Sequence, residues 1–306
     1  MSKAADAVGI VGNGLIGSAV TRRLVAAGLP VAGYDVDAGK RTSLAALGAR
    51  PAGSLAELGE TCRRFVLAVF DTQQVEDVLE GPGGLLEAVR PPRGALFMSV
   101  STCDPERIRA LGERVRSHGA ALLECPLSGS SEQVARGDGV GLLAGDEARA
   151  PEVEDILAAI CKRRFFLGPL GNGNKAKLAV NLILGLNRAA LAEGLVLADR
   201  LGLPLETFLE VARGSAAYSQ VMDQKGCKMI ARDFTPHGKV GQSHKDFSLI
   251  LAAADAAGQE LPLASVYRAL MRGCIDHGEA DWDNAAIIEE IRRRLAPPSA
   301  PRKVSG

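Results

Sequence analysis

Ala7-Val8-Gly9-Ile10-Val11-Gly12-Asn13-Gly14-Leu15-Ile16-Gly17 is the run on which the reading of the fold turns. Its first five residues read as a strand, Gly12 to Gly17 form a GxGxxG pattern, and Leu15 to Ala27 carry helical periodicity up to Gly28 and Pro30, a normal stop signal. In such a strand-turn-helix unit the first glycine allows the turn. The second lets a pyrophosphate approach the amides at the helix N-terminus, and the third lets helix pack on strand. A second apolar run, Val31 to Tyr34, ends at Asp35, 18 residues beyond Gly17 and near the usual interval of about 20. Asp35 would accept hydrogen bonds from adenosine ribose hydroxyls and repel a 2′-phosphate, which points to NAD. Lys40 and Arg41 partly offset that repulsion and leave NADP open. A packing turn beside a surface Asp is the competing interpretation. The cofactor-binding set on this reading is Gly12, Asn13, Gly14, Leu15, Ile16, Gly17 and Asp35.

Working outward, short apolar runs alternate with amphipathic stretches through the first half, the mark of βα units on a mostly parallel, doubly wound sheet. Further strands are expected at Phe65 to Val69, Ala95 to Val100, Ala120 to Leu123, Gly139 to Leu143 and Phe165 to Leu167, with an antiparallel finish. Helices are expected at Ala38 to Leu47, Gln73 to Leu79, Pro105 to Ser117 and Ala150 to Ile160. After Gly168 the texture changes. Lys175 to Arg200 is almost wholly apolar, would run about 39 Å as one helix, and is expected to be buried on most faces. Helical patterns follow at Pro204 to Ala212, Gln220 to Ile230, Lys245 to Ala257, Pro262 to His277 and Asn284 to Leu295. The expected organisation is a dinucleotide-binding Rossmann domain over 1–168, an all-α domain over 169–296 entered through the long helix, and a loose tail at 297–306.

Length and composition agree with this. The 306 residues suit two domains, each with a core of its own. Lys and Arg (36) balance Asp and Glu (36), so there is no electrostatic footprint for a nucleic-acid backbone. The 35 glycines exceed the usual share, whereas only 12 residues are aromatic, so the core rests on aliphatic side chains. No uninterrupted apolar run approaches membrane length, and a cytoplasmic protein is expected. The six cysteines, at 62, 103, 125, 161, 227 and 274, form no CxxC pair and read as reduced, mostly buried thiols. His237, His244 and His277 fit no compact ligand spacing, so no metal is expected.

A second glycine-rich stretch, Gly171-Asn172-Gly173-Asn174-Lys175-Ala176-Lys177, leads into the apolar helix. Lys177 and Asn181 are four apart, hence on one face, and an ammonium and an amide so spaced can share one substrate oxygen. A solvated lysine and a packing amide are equally open from spacing alone.

Taken together, these motifs resemble the β-hydroxyacid dehydrogenases, the family of 3-hydroxyisobutyrate dehydrogenase and tartronate semialdehyde reductase. The glycine fingerprint matches Gly12 to Gly17, and the family's Asp-Ala-Pro-Val-Ser-Gly-Gly run resembles Glu124-Cys125-Pro126-Leu127-Ser128-Gly129-Ser130. Its GxGxxxKxxNN corresponds to Gly171 to Asn181, and its Lys-Asp contact to Lys245-Asp246; Ser101-Thr102 resembles its serine-threonine pair. The resemblance implies hydride transfer between NAD(H) and a short hydroxy acid or its semialdehyde. Lys177 and Asn181 would be catalytic, Ser101, Ser128, Gly129 and Ser130 would bind substrate, and Lys245 would contact the cofactor. A homodimer or homotetramer is expected, as the long apolar helix suggests partner burial. Departures are Ser130 for glycine, Glu132-Gln133 for a small pair and Val180 for the first asparagine. Either the pocket takes a more polar acid or these side chains face away. Imine reductases share the architecture but carry a tyrosine or aspartate where Lys177 stands. A catalytically silent nicotinamide-binding protein would be marked by loss of Lys177 or Asn181, and both are present.

Overall fold

The computed structural model describes residues 7–89 and 94–295. The tail expected at 297–306 lies outside the described residues. Two compact units divide the chain, Met1–Asn181 and Leu182–Gly306.

In chain order the first unit runs β1 (Ala7–Val11), α1 (Leu15–Ala26), β2 (Val31–Tyr34), α2 (Ala38–Ala46), β3 (Arg50–Pro51), α3 (Leu55–Thr61) and β4 (Cys62–Leu67). It continues with α4 (Thr72–Glu80), α5 (Leu85–Ala88), β5 (Leu96–Ser99), α6 (Pro105–Ser117), β6 (Ala121–Glu124), β7 (Leu127–Ser128) and α7 (Ser131–Arg136). Last come β8 (Val140–Leu143), a 3-10 segment, α8 (Glu154–Ile160), β9 (Arg163–Phe166) and the start of α9 (Asn172–Arg200). Six strands form one parallel sheet in the order β3-β2-β1-β4-β5-β6, the doubly wound arrangement. The order reverses between β1 and β4, where such sheets open a ligand crevice at their carboxyl ends. Both faces are dry. Ile10, Val66, Leu96 and Met98 pack on one side, and Val11, Phe65, Leu67 and Phe97 on the other, as the period of two requires.

The finish differs from the sequence expectation. The last strands leave the main sheet and make a separate one, β7-β8-β9, antiparallel between β7 and β8 but parallel between β8 and β9. An isolated bridge between Glu124 and Ala144 ties the two sheets. Elements that sequence periodicity passed over are short: β3 and β7 have two residues each, α5 has four, α7 six and α3 seven, under two helical turns. So few residues cannot display a period.

The glycine turn follows β1 at the reversal point, and its three glycines do different work. Gly12 sits at φ +93°, and a Cβ there would lie 2.5 Å from the Ala68 carbonyl oxygen at the end of β4. A Cβ on Gly17 would come within 2.0 Å of the Gly12 oxygen, so helix and turn meet backbone to backbone. Around Gly14 there is nothing within 4 Å. It begins α1 without any side-chain cap, leaving the first amides facing open space.

In the second unit α9 continues and is followed by α10 (Leu205–Arg213), α11 (Gln220–Ala231), α12 (Val240–Ala256), α13 (Pro262–Asp276) and α14 (Ile287–Arg293), with no strand among the described residues. Its interior holds an ion pair, Lys225 Nζ to Asp283 at 2.7 Å, and the same carboxylate accepts the amides of His237 and Ala285. Two expectations change at α9. Its apolar window is only 22% buried, with Ile183 and Leu197 exposed, so burial on most faces does not hold within this chain. By length and composition alone it is also apolar enough to cross a membrane, because its polar residues are too few to lower the average.

The glycine geometry separates stability from binding. Gly17→Ala should cost about 2 kcal/mol or more, since backbone would have to shift. Gly14→Ala should change stability by less than about 0.5 kcal/mol. Urea denaturation of the two variants measures the contrast.

Candidate functional site

The carboxylate of Asp35 stands at the end of β2, beside the glycine turn. Its Oδ2 accepts the amide of Asn13 at 2.7 Å and its Oδ1 the amide of Asp37 at 2.9 Å, and each oxygen keeps a lone pair for a further donor. Asn13 is buried and anchors the turn sideways: its Nδ2 donates to the Lys40 carbonyl and to Ser43 Oγ, both at 2.9 Å, and its Oδ1 accepts from Ser18 Oγ. Arg41 lies over the Tyr34 ring at 5.5 Å and donates to the Asp35 and Val36 carbonyls. Open amides at the start of α1, space at Gly14 and a carboxylate at the tip of β2 fit the pyrophosphate and ribose of a dinucleotide. Leu15 and Ile16 are the first two residues of α1.

Ser101 follows β5, buried, with its hydroxyl donating to the Val69 carbonyl at 2.8 Å. Ser128 ends β7, and Gly129 has φ +147°, a conformation that favours glycine. Ser130 has a structural task. Its hydroxyl accepts the Gln133 amide while the Gln133 side chain accepts the Ser130 amide, a reciprocal capping box that starts α7. Glu132 is exposed and pairs with Arg136 one turn on, at 3.0 Å. The unusual residues of this loop therefore begin and solvate a helix.

Lys177 is buried in the second turn of α9, and its Nζ donates to the Leu127 carbonyl at 2.7 Å. The ammonium thus sits against the residue immediately before Ser128-Gly129. Asn181, part-buried, lies one turn further on the same helix. Lys245, the remaining site residue named from sequence, belongs to the second unit, on α12, where its Nζ pairs with Asp246 at 3.0 Å.

One residue given no role from sequence organises this region. Glu124, at the end of β6, is fully buried and accepts four hydrogen bonds from the start of α9. Its Oε1 takes the amides of Gly171 (2.6 Å) and Gly173 (2.9 Å); its Oε2 takes the Asn174 amide (3.2 Å) and the Asn174 side-chain Nδ2 (2.5 Å). Burial pushes the Glu124 carboxyl up from its ordinary range, against the pull of those hydrogen bonds. Asn174 turns its Oδ1 to the Cys103 amide at 2.7 Å, joining the loop after Ser101 to the same cluster. A Cβ on Gly173 would lie 2.6 Å from the Leu142 oxygen and 3.0 Å from the Glu124 side chain, which explains that glycine. The available signal was an acidic residue ending an apolar strand. All six cysteines are free, five of them buried and Cys227 exposed.

Two family models match this chain. One, the "NAD binding domain of 6-phosphogluconate dehydrogenase", covers residues 7–168; the other, "NAD-binding of NADP-dependent 3-hydroxyisobutyrate dehydrogenase", covers residues 171–291. Glyoxylate/succinic semialdehyde reductase 1 of Arabidopsis thaliana is 31% identical over 285 residues, 93% of this chain and 98% of that protein. The human cytokine-like nuclear factor N-PAC is 30% identical over 92% of this chain, which spans half of that protein's length. Among solved structures, a 3-hydroxyisobutyrate dehydrogenase from Salmonella typhimurium is similar at TM-score 0.84 and 28% identity, covering 92% of this chain and 99% of that one. NAD or NADP is accordingly the cofactor. With both halves matched and the Arabidopsis reductase and the Salmonella enzyme aligned nearly end to end, the chain belongs to the β-hydroxyacid dehydrogenase family, the 3-hydroxyisobutyrate dehydrogenase-like NAD(P)-dependent oxidoreductases.

Proposed function

We propose that this protein interconverts a short-chain hydroxy acid and its semialdehyde or keto acid, with NAD(H) as the preferred cofactor. The observation that carries the reading is the buried ammonium of Lys177 held at 2.7 Å against Leu127, next to Ser128 and Gly129, with Asn181 one turn along. A bound reduced nicotinamide supplies the hydride for the carbonyl carbon. Lys177 delivers the proton to the carbonyl oxygen, and in the reverse direction takes it back. Asn181 donates a hydrogen bond to that oxygen and holds it in line. The backbone at Ser128 and Gly129, with the loop at Ser101, receives the carboxylate. In the Ser101 hydroxyl the proton is directed to Val69, so the serine would have to turn to donate to substrate.

Both named relatives bear on the reading in different ways. The Arabidopsis protein is named for reducing glyoxylate and succinic semialdehyde, two short carbonyl acids. N-PAC is named as a nuclear factor, so kinship by itself does not choose between enzyme and silent binding protein. Retention of Lys177 and Asn181 favours the enzyme. A carboxylate at Asp35 and an apolar, exposed Val36 in place of a cation favour NAD over NADP. We further place a second copy of the chain against the exposed apolar side of α9, in a cytoplasmic homo-oligomer without nucleic-acid or membrane partners.

A spectrophotometric panel of semialdehydes and keto acids with NADH, and of hydroxy acids with NAD, tests the assignment; turnover on no member would overturn it. Lys177→Ala should lower kcat by about 10² to 10⁴ while NADH affinity stays within a few-fold. The Lys177→Ala/Asn181→Ala double variant should lose less than the product of the single losses, because the two groups act on one oxygen. Asp35→Ser with Val36→Arg should move the ratio of kcat/KM values toward NADPH. Ser130→Ala should cost about 1 kcal/mol of stability, as expected for loss of a cap, and leave the substrate profile unchanged.

A further inference from the structure

We propose that Glu124 is a positioning residue for the reaction, setting the register of α9 so that the Lys177 ammonium meets the Leu127–Gly129 segment. The inference rests on the reading of Lys177 as proton donor. Its physical basis is a mismatch of donors at the helix start. The first intrahelical bond runs from the Lys175 amide to the Gly171 carbonyl, so the amides of Gly173 and Asn174 have no partner inside the helix. No local side chain takes them. Glu124, about fifty residues earlier in the chain, accepts both, together with the Gly171 amide and the Asn174 side chain.

Every group aimed at Glu124 is an N–H, so the position needs a side chain that only accepts. A carboxylate meets that demand and an amide does not. Asn174 cannot compensate by turning over, because its Oδ1 is held by the Cys103 amide; a flipped Asn174 would face that amide with its own Nδ2. A neutral isostere at 124 therefore leaves at least one N–H pointing at another. The negative charge also lies at the positive end of a 29-residue helix.

Segment 124–127 thus grips α9 twice. Glu124 holds the helix start, and one turn later Lys177 reaches back to Leu127, three residues beyond Glu124. Two contacts from one short segment fix both the rotation and the axial position of the helix relative to the substrate loop. Lys177 has a flexible four-carbon stem, so its head is only as well placed as the turn that carries it.

The test compares unmutated protein, Glu124→Gln, Glu124→Asp and Asn174→Ala, all full length. Three quantities are measured: hydrogen exchange of the 171–177 amides, the rate at which formaldehyde and cyanoborohydride methylate Lys177, and kcat and KM for succinic semialdehyde with NADH. Exposed Lys175 in the same helix is the internal reference for methylation. Glu124→Gln should speed exchange at Gly173 and Asn174 and methylate Lys177 faster by about tenfold, the size of one lost charge-assisted hydrogen bond, with Lys175 unchanged. The kcat should fall by at least about tenfold while KM and NADH affinity hold within a few-fold. Glu124→Asp, which keeps the charge, should recover most of the loss, and a merely structural role predicts no such rescue. Asn174→Ala removes one of the four bonds, together with the contact to the Cys103 amide, and should move the same quantities by less, and it carries the comparison if Glu124→Gln does not fold. A folded Glu124→Gln protein with unmutated exchange and Lys177 methylation would overturn the inference. If the unmutated protein reduces no carbonyl acid at all, the enzymatic reading fails, while exchange and methylation still decide the role of Glu124.

Discussion

Four N–H groups converge on one buried carboxylate at Glu124, and the layout of the first unit from residue 101 to residue 181 hangs on their being satisfied. A charged group without solvent costs several kcal/mol unless hydrogen bonds replace its hydration. Here the replacement comes from the start of α9, so the cost of burying the carboxylate and the cost of leaving helix amides unpaired partly offset each other. Asn174 passes the constraint on to the Cys103 amide, and the backbone of Glu124 pairs with Ala144 across the two sheets. Strand end, the loop at Cys103, small sheet and long helix are thereby fixed to a single point. The two glycine-rich motifs, alike on paper, serve opposite ends. At Gly14 the missing side chain leaves open space, whereas at Gly173 the room is already filled by the Leu142 carbonyl and the Glu124 side chain.

How far the sequence could be read follows from how local each interaction is. The turn at Gly12 to Gly17 is contiguous, and its spacing to Asp35 is short, so strand, turn and helix were all visible there. The doubly wound order followed from repetition of the same unit. Glu124 belongs to a recognisable motif, but its partners lie 47 to 50 residues away, and no pattern along the chain reports a carboxylate satisfied at that distance. Ser130 is a different case: Ser-x-x-Gln is a capping signature, and it lies inside a stretch whose resemblance to a substrate motif masks it. In α9 the apolar composition was plain, but composition does not say what covers each face, and Ile183 and Leu197 stay exposed within the chain. Strands of two residues, at β3 and β7, owe their existence to neighbours already in place and lie below any periodic signal.

Asp35 bears on how this protein could change over evolutionary time. Its carboxylate serves the fold as well as the ribose proposed for it, since it accepts the amides of Asn13 and Asp37. A lineage drifting toward the phosphorylated cofactor could not begin by discarding that side chain without stranding two amides beside the glycine turn. Val36, 85% exposed, holds no such duty. Gaining a cation at that neighbour first and losing the carboxylate second is the downhill route, so the order of the two steps is set by the hydrogen bonds of a turn and not by the cofactor.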